Sequence, residues 1–225
     1  MHNKLPAIFE THDGSHTLLA PQFDNVTYHS KFGAIQESQH VFIENGFRLK
    51  SIIQTNIAVL EIGLGTALNT LLTIIESAKR PVTVNYVGVE NYPINLQIAA
   101  QLNYCNLLGL PQLQQIFFDI HQAADNEILT LTPHFTFTKH IALFQQISFS
   151  DLFDIIYFDA FAPTTQPELW TTNVFQKMFT ALKQDGVLVT YCAKGEVKRA
   201  LKSVGFHVKA VQGPPGKREM IQAFK

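Results

Sequence analysis

Two stretches of this chain combine residue types and spacings that suit chemistry. In "LEIGLGTALN" (Leu60–Asn69), Gly63 and Gly65 stand between a short apolar run and a helix-like one. Glycines at that junction permit a tight turn and let a ligand approach the backbone closely. A dinucleotide fingerprint needs a third small residue where this chain has Leu68,. Glu61, just ahead of the glycines, suits a cationic or amino-acid-bearing ligand better than a pyrophosphate. Glu90 ends the next apolar run, placed to accept both hydroxyls of a ribose,. In this order the features point to an adenosyl cofactor, and the acidic loop turns that toward S-adenosylmethionine.

The second stretch is "DIIYFDAFAPTTQPELW" (Asp154–Trp170), in which Asp159 closes an apolar run. If the strands are parallel, Asp159 shares a sheet edge with the glycine loop, the edge where open α/β sheets bind ligands. "Asp-Ala-Phe-Ala-Pro" resembles the Asp/Asn-Pro-Pro-aromatic signature of amino-group methyltransferases. An amine attacks a methyl group only with its lone pair free and aimed, and a carboxylate accepting its N–H bonds supplies that aim. The other reading makes Asp159 the cap of the following turn, with Phe161 and Trp170 in the core.

The elements that must position these residues are legible as an alternation. Up to about residue 54 the chain reads as a small β-rich extension, with "HVFIENGFRLK" forming strands about an Asn45-Gly46 hairpin turn,. From residue 55 to 225 strands and helices alternate, which predicts a Rossmann-like domain on a parallel sheet. The helices expected are Thr66–Ala78, one opened by Pro93, one within "QPELWTTNVFQKMFTALK", and "EVKRALKSVG" stopped by Gly205,. "LFDIIYFDAF" reads as a buried central strand, and "HVKAVQG" with "REMIQAF" as a closing antiparallel pair,.

Composition narrows the class. With 225 residues and 46% hydrophobic content the chain can bury one substantial core,. Its net charge of -1 conceals a basic stretch: from Lys183 onward nine Lys/Arg face three acids. That distribution suits an anionic partner docking on one side. Cys105 and Cys192 form no CxxC pair and read as reduced cytosolic thiols,. "MHNKLPAIFETHDGSH" lacks the apolar core of a signal peptide, and no apolar run is long enough to span a membrane,. A cytoplasmic protein is expected. The pairs His12/His16 and His134/His140 lack accompanying ligands, so no metal is expected,.

Five blocks in order, "QFDNVTY", "LEIGLGTALN", "YFDAFAPTTQPELW", "TYCAKGEVKRAL" and "GPPGKREM", resemble the tRNA 5-methylaminomethyl-2-thiouridine methyltransferase family. They run from about Gln22 to Met220. The resemblance implies an α/β, class I S-adenosylmethionine-dependent methyltransferase fold. The reaction implied is methyl transfer from S-adenosyl-L-methionine to the aminomethyl group of the wobble uridine in a tRNA anticodon loop. Glu61, Gly63, Gly65 and Thr66 would then form the cofactor loop and Glu90 would hold ribose. Asp159, Phe161 and Pro163 would form the amine site, with Lys217 and Arg218 set against RNA phosphate. Lys194, Lys198 and Arg199 join them as candidate phosphate contacts, which rationalises the basic stretch. Family members occur as half of a bifunctional enzyme or alone, and with the sequence ending at Lys225 the resemblance leads to the expectation of the methyltransferase activity without a flavin-dependent half.

The chain departs from the family in two places. Leu64 and Ala67 replace the Phe and final Gly of the usual loop. "KHIALF" offers Ala142 and Leu143 where relatives often carry an acid toward adenine, so backbone or another side chain is expected to hold it. Two rival readings follow: a methyltransferase for another amine or nucleobase, and a non-catalytic RNA-binding module on the same fold. A nicotinamide oxidoreductase is disfavoured by Leu68 and Glu61.

Overall fold

A computed structural model describes residues 6–225; the first five, at the head of the expected extension, lie outside the described residues. The chain begins with a three-stranded antiparallel sheet of β1 (Ala7–Glu10), β2 (His16–Ala20) and β3 (Val26–Thr27). The hairpin expected at Asn45-Gly46 does not form. Instead α1 (Ala34–Ser38), a π-helical stretch (Gln39–Phe47) and α2 (Arg48–Ser51) run through it. Val41, Phe42, Ile43 and Phe47 bury their side chains from this helical segment. Gly46 lies against the sheet, where a β-carbon would come within 3.1 Å of Val189 and 3.2 Å of Tyr157. The glycine therefore serves close packing rather than a turn, and tertiary burial overrides local preference.

β4 (Asn56–Ile62), α3 (Leu68–Ser77) and β5 (Thr83–Glu90) follow as the alternation predicts. Pro93 does not open the next helix. α4 (Leu96–Ala99) starts after Asn95, whose side chain accepts from the Ile98 amide at 2.9 Å, and the chain breaks again before α5 (Tyr104–Leu107). An Asn cap satisfies a free helical N–H, which proline cannot do. α6 (Gln114–Gln122), β6 (Ile128–Thr132), β7 (Phe135–Ile141) and β8 (Phe153–Phe158) come next. Then come α7 (Thr172–Ala181), β9 (Leu182–Thr190), α8 (Gly195–Ser203) and the closing pair β10 (His207–Gln212) and β11 (Glu219–Phe224). That pair is antiparallel, as expected.

The large sheet has the order β10-β11-β9-β8-β4-β5-β7-β6. Strands β7, β5, β4, β8 and β9 are parallel, while β6 and β11 run antiparallel to their neighbours. All six residues of β8 are buried, as a central parallel strand requires,. Helices cover both faces. Leu71, Phe42 and Phe117 pack with Tyr86 and Tyr157 on one side, and Phe175 and Val197 with Ile156 and Phe158 on the other. The chain order reverses between β4 and β8, so their carboxyl ends open the crevice in which such sheets bind ligands,. Among the described residues no helix is long and apolar enough to cross a membrane.

Candidate functional site

The loop after β4 turns over the ends of two strands. Gly63 and Leu64 donate their amides to the Val89 carbonyl at 3.0 and 3.2 Å, and the Asp159 amide donates to the Ile62 carbonyl at 2.9 Å. Gly63 has φ +89°, and a β-carbon there would stand 2.6 Å from the Asp159 carbonyl oxygen. Only glycine lets the loop lie this close to the end of β8. Leu64 packs over Gly88, whose missing side chain makes the space for it. Ala67 precedes α3 with φ +59°, a left-handed conformation that glycine adopts at less cost,.

Around this loop is a cleft of about 610 Å³, measured out to its solvent mouth. Gly63, Gly65, Thr66, Glu90, Asp159 and Phe161 line it, so six of the residues singled out from sequence converge on one site. Glu90 accepts from the Gly65 amide at 3.0 Å and the Tyr92 amide at 2.9 Å. Each carboxylate oxygen retains a second acceptor direction for a hydroxyl. Burial is the main force holding the Glu90 carboxyl above its ordinary pKa, opposed by these amides. A glycine cradle beside a carboxylate with acceptor directions to spare fits the adenosyl sulfonium expected from sequence,.

Asp159 lies at the carboxyl end of β8, where Asn69 Nδ2 donates to its Oδ2 at 2.8 Å. Burial first, and the Glu37 charge second, raise its pKa to about 7. The carboxylate is thereby a stronger base than a solvated one. Phe161 packs between Phe23 and Tyr28, with ring centroids 5.0 and 4.9 Å away. Its carbonyl accepts from Trp170 Nε1 at 2.8 Å, and the Ala160 carbonyl accepts from the Tyr191 hydroxyl at 2.8 Å. The turn after Asp159 is thus held by two aromatic donors.

Several expected residues sit elsewhere. Glu61 does not line the cleft: it is 0% exposed beneath the loop, accepting from Asn69 at 2.8 Å, Thr70 at 3.1 Å and Tyr86 at 2.7 Å. Burial pushes its carboxyl up to about 8. It braces the loop from below, because three side-chain donors surround it and none of its surface is exposed to the cleft. Pro163 is buried in the turn and lies outside the cleft lining. Lys217, expected on phosphate, turns inward instead: its ammonium pairs with the buried Glu37 and lies 3.8 Å from the centroid of the Tyr191 ring. A buried carboxylate and an aromatic face together outcompete solvent for that charge.

Lys194, Lys198, Arg199 and Arg218 lie outside the cleft. Lys198 pairs with Glu219 at 2.6 Å, whereas the Arg218 side chain is 93% exposed. Arg199 has no ion pair among the described residues.

The turns on either side of β3 supply a wall of the cleft that the sequence reading did not assign. Gln22, Phe23, Tyr28 and His29 all line it. His29 bridges Thr17 Oγ1 at 2.9 Å and Thr66 Oγ1 at 3.3 Å, and burial lowers its pKa to about 4, leaving it neutral near pH 7. Burial also raises Tyr28 to about 12. The aromatics of "QFDNVTYH" were the available signal, read there as strand formers. Asn69, too, was quoted with the loop but given no role.

A Rossmann-like sheet with a glycine loop, Glu90 at the end of β5 and an acid at the end of β8 defines the architecture of a class I methyltransferase. The model of a family described as S-adenosyl-L-methionine-dependent methyltransferase matches residues 113–225, and the chain belongs to that family. Among curated relatives, the tRNA 5-methylaminomethyl-2-thiouridine biosynthesis bifunctional protein MnmC of Cupriavidus necator is 31% identical over 227 residues. That match covers 91% of this chain and 32% of the relative. MnmC of Burkholderia multivorans is 28% identical over 226 residues, covering 91% and 33%. The chain therefore spans about a third of the length of these relatives.

Two solved structures share the fold. One is MNMC2 from Aquifex aeolicus, with TM-score 0.76, 22% identity, and coverage of 97% of this chain and 69% of that one. The other is spermidine synthase from Thermotoga maritima, with TM-score 0.54, 17% identity, and coverage of 98% and 69%.

Proposed function

We propose that this methyltransferase acts on the primary amine of 5-aminomethyl-2-thiouridine at the tRNA wobble position, giving 5-methylaminomethyl-2-thiouridine. The observation that carries the reading is Asp159, which lines the cleft at the carboxyl end of β8 beside Phe161 and the glycine loop. The biosynthetic product in the printed names of the relatives supports the choice of substrate.

S-adenosyl-L-methionine supplies an electrophilic methyl group on sulfur. Glu90 would hold the ribose hydroxyls, the backbone of Gly63–Thr66 would take the amino-acid portion, and Phe144 and Tyr92, which also line the cleft, would serve adenine in place of the acid that "KHIALF" lacks. Asp159 orients the substrate amine, and its raised proton affinity lets it take the proton that the ammonium form must lose,. The low-dielectric wall of Phe23, Tyr28 and Phe161 disfavours the ammonium and favours the nucleophile,. Transfer is direct, with no covalent enzyme intermediate.

A wobble base lies in a single-stranded loop and enters the cleft without breaking a base pair. Arg199, Arg218, Lys194 and Lys198 at the α8 and β11 edge serve the anticodon phosphates,. The test is methyl transfer to anticodon stem–loops with and without the aminomethyl group. Transfer only to the aminomethyl RNA is expected; equal transfer to both, or to neither, sinks the reading.

A further inference from the structure

Asn69 stands in the first turn of α3, lines the cleft and is 2% exposed. Its Nδ2 donates to two carboxylates at once, Glu61 Oε1 at 2.8 Å and Asp159 Oδ2 at 2.8 Å. Both amide hydrogens are thereby used. Rotating the amide by half a turn would set Oδ1 against the Asp159 carboxylate oxygen, acceptor to acceptor, so the orientation is fixed by that neighbour,. Oδ1 is left buried with no partner in the protein. A buried acceptor without a donor is costly, and in a site the donor is supplied by what binds there.

We propose that Asn69 Oδ1 and the Asp159 carboxylate form a two-acceptor clamp for both N–H bonds of the attacking nitrogen, limiting the site to one methylation of a primary amine. This rests on the function proposed above and adds a positioning and specificity residue to it. A neutral primary amine has two N–H bonds and one lone pair. Accepting both hydrogens leaves the lone pair a single direction, and direction is what an in-line displacement demands. The nitrogen lone pair forms the new N–C bond while the C–S bond of the donor breaks, its electron pair remaining on sulfur. Asp159 passes the proton of the starting ammonium on to solvent before attack; as a carboxylate again, it accepts one proton from the resulting secondary ammonium, which leaves as a neutral secondary amine.

That product has one N–H for two acceptors. On re-entry, either Asn69 Oδ1 remains unpaired or the lone pair is misdirected. Sites built to bond an N–H discriminate strongly against a ligand lacking it.

The test compares wild type with Asn69→Ala and Asn69→Ser on stem–loops carrying aminomethyl or methylaminomethyl groups. Wild type is expected to methylate the secondary amine at least about 10²-fold more slowly than the primary one. In Asn69→Ala both substrates meet Asp159 alone. First methylation is expected to fall about 10- to 10²-fold, and the ratio of second to first to rise at least about tenfold. A non-kinetic readout accompanies this: without cofactor, wild type binds the aminomethyl stem–loop more tightly than its dimethylaminomethyl counterpart by calorimetry, and Asn69→Ala narrows the gap. If Asn69→Ala fails to fold, Asn69→Ser, which keeps a hydroxyl toward Glu61, carries the same expectations.

An unchanged product ratio in an otherwise active variant overturns the clamp while leaving the proposed function standing. So does cofactor affinity lost in proportion to rate, which would make Asn69 a cofactor residue. A wild type inactive on the aminomethyl RNA overturns the function and the clamp with it.

Discussion

The sharpest test of the loop geometry is Gly63→Ala. At φ +89° a β-carbon strains the backbone, at about 1–2 kcal/mol for a left-handed L-residue,. The same carbon would sit 2.6 Å from the Asp159 carbonyl oxygen and 3.1 Å from its carbonyl carbon. These are backbone atoms tied to the end of β8 by the Asp159 amide's bond to the Ile62 carbonyl and cannot swing aside as a side chain can, so overpacking adds about 1–3 kcal/mol,. Reduced freedom of the unfolded chain returns about 0.4–1 kcal/mol. The net loss is about 1–4.5 kcal/mol, or a Tm lower by about 2–18 °C for a domain of this size.

Gly65→Ala is the control. It also has positive φ, but its β-carbon would meet the Tyr28 ring at 3.1 Å, a side chain that can shift. Its loss is about 1 kcal/mol once the unfolded-state gain is subtracted. Both proteins are compared without ligand by thermal unfolding. The reasoning fails if Gly63→Ala melts within a degree of Gly65→Ala, since then the contact with Asp159 costs nothing. Methyl transfer by Gly63→Ala is expected to fall further than stability explains, because the displaced strand end carries Asp159 itself,.

Three other outcomes are expected. Asp159→Ala abolishes methyl transfer while cofactor affinity by calorimetry stays nearly intact; affinity lost in proportion would make Asp159 a cofactor ligand. Ala67→Gly relieves the φ +59° conformation, about 1–2 kcal/mol, against about 0.4–1 kcal/mol of added unfolded-chain freedom and about 0.8 kcal/mol for the buried methyl,. Tm is therefore expected to stay within about 2 °C of wild type, and a fall of about 4 °C or more argues against strain there. Glu61→Gln flattens the pH dependence of stability. The Glu61 and Asp159 carboxyls have folded pKa values raised to about 8 and about 7, so their contribution is complete at low pH and lost as pH rises through those values,. His29 and His121, lowered to about 4, contribute fully above their ordinary pKa and lose that contribution only as pH falls,. Between about pH 6.5 and 8.5 the acids alone act, Tm of the ligand-free wild type declines, and Glu61→Gln declines less. Parallel curves for the two proteins would refute the assignment.

The reach of the sequence differs from residue to residue. Period and punctuation gave the strand–helix alternation, because apolar spacing reflects which face of each element is buried. They also located the glycine loop, Glu90 and Asp159, since in a parallel α/β sheet the ends of successive strands must share an edge. Local preference misled at Asn45-Gly46, where a turn-like pair lies in helix against Tyr157 and Val189, and at Pro93, where Asn95 provides the cap.

Asp154 and Asp159 show what remained to be decided. They bound the same strand, β8, and differ in sequence only by position. The fold puts Asp154 at the amino end, held by Lys183 at 2.9 Å and the Ala58 amide at 2.8 Å, and Asp159 at the open end beside Asn69. Lys217 and Arg218 are adjacent, yet one turns in to Glu37 and Tyr191 while the other faces solvent. Glu61 became a buried brace because Thr70, Tyr86 and Asn69, on two further elements, converge on it.

By itself, then, the sequence determined the class of fold and the strand ends at which chemistry is done, because short-range patterning records burial. Which acids and bases face the ligand was decided by tertiary structure. That choice depends on donors, aromatic faces and carboxylates brought from distant segments, and their solvation and pairing exist only once the chain has closed around them.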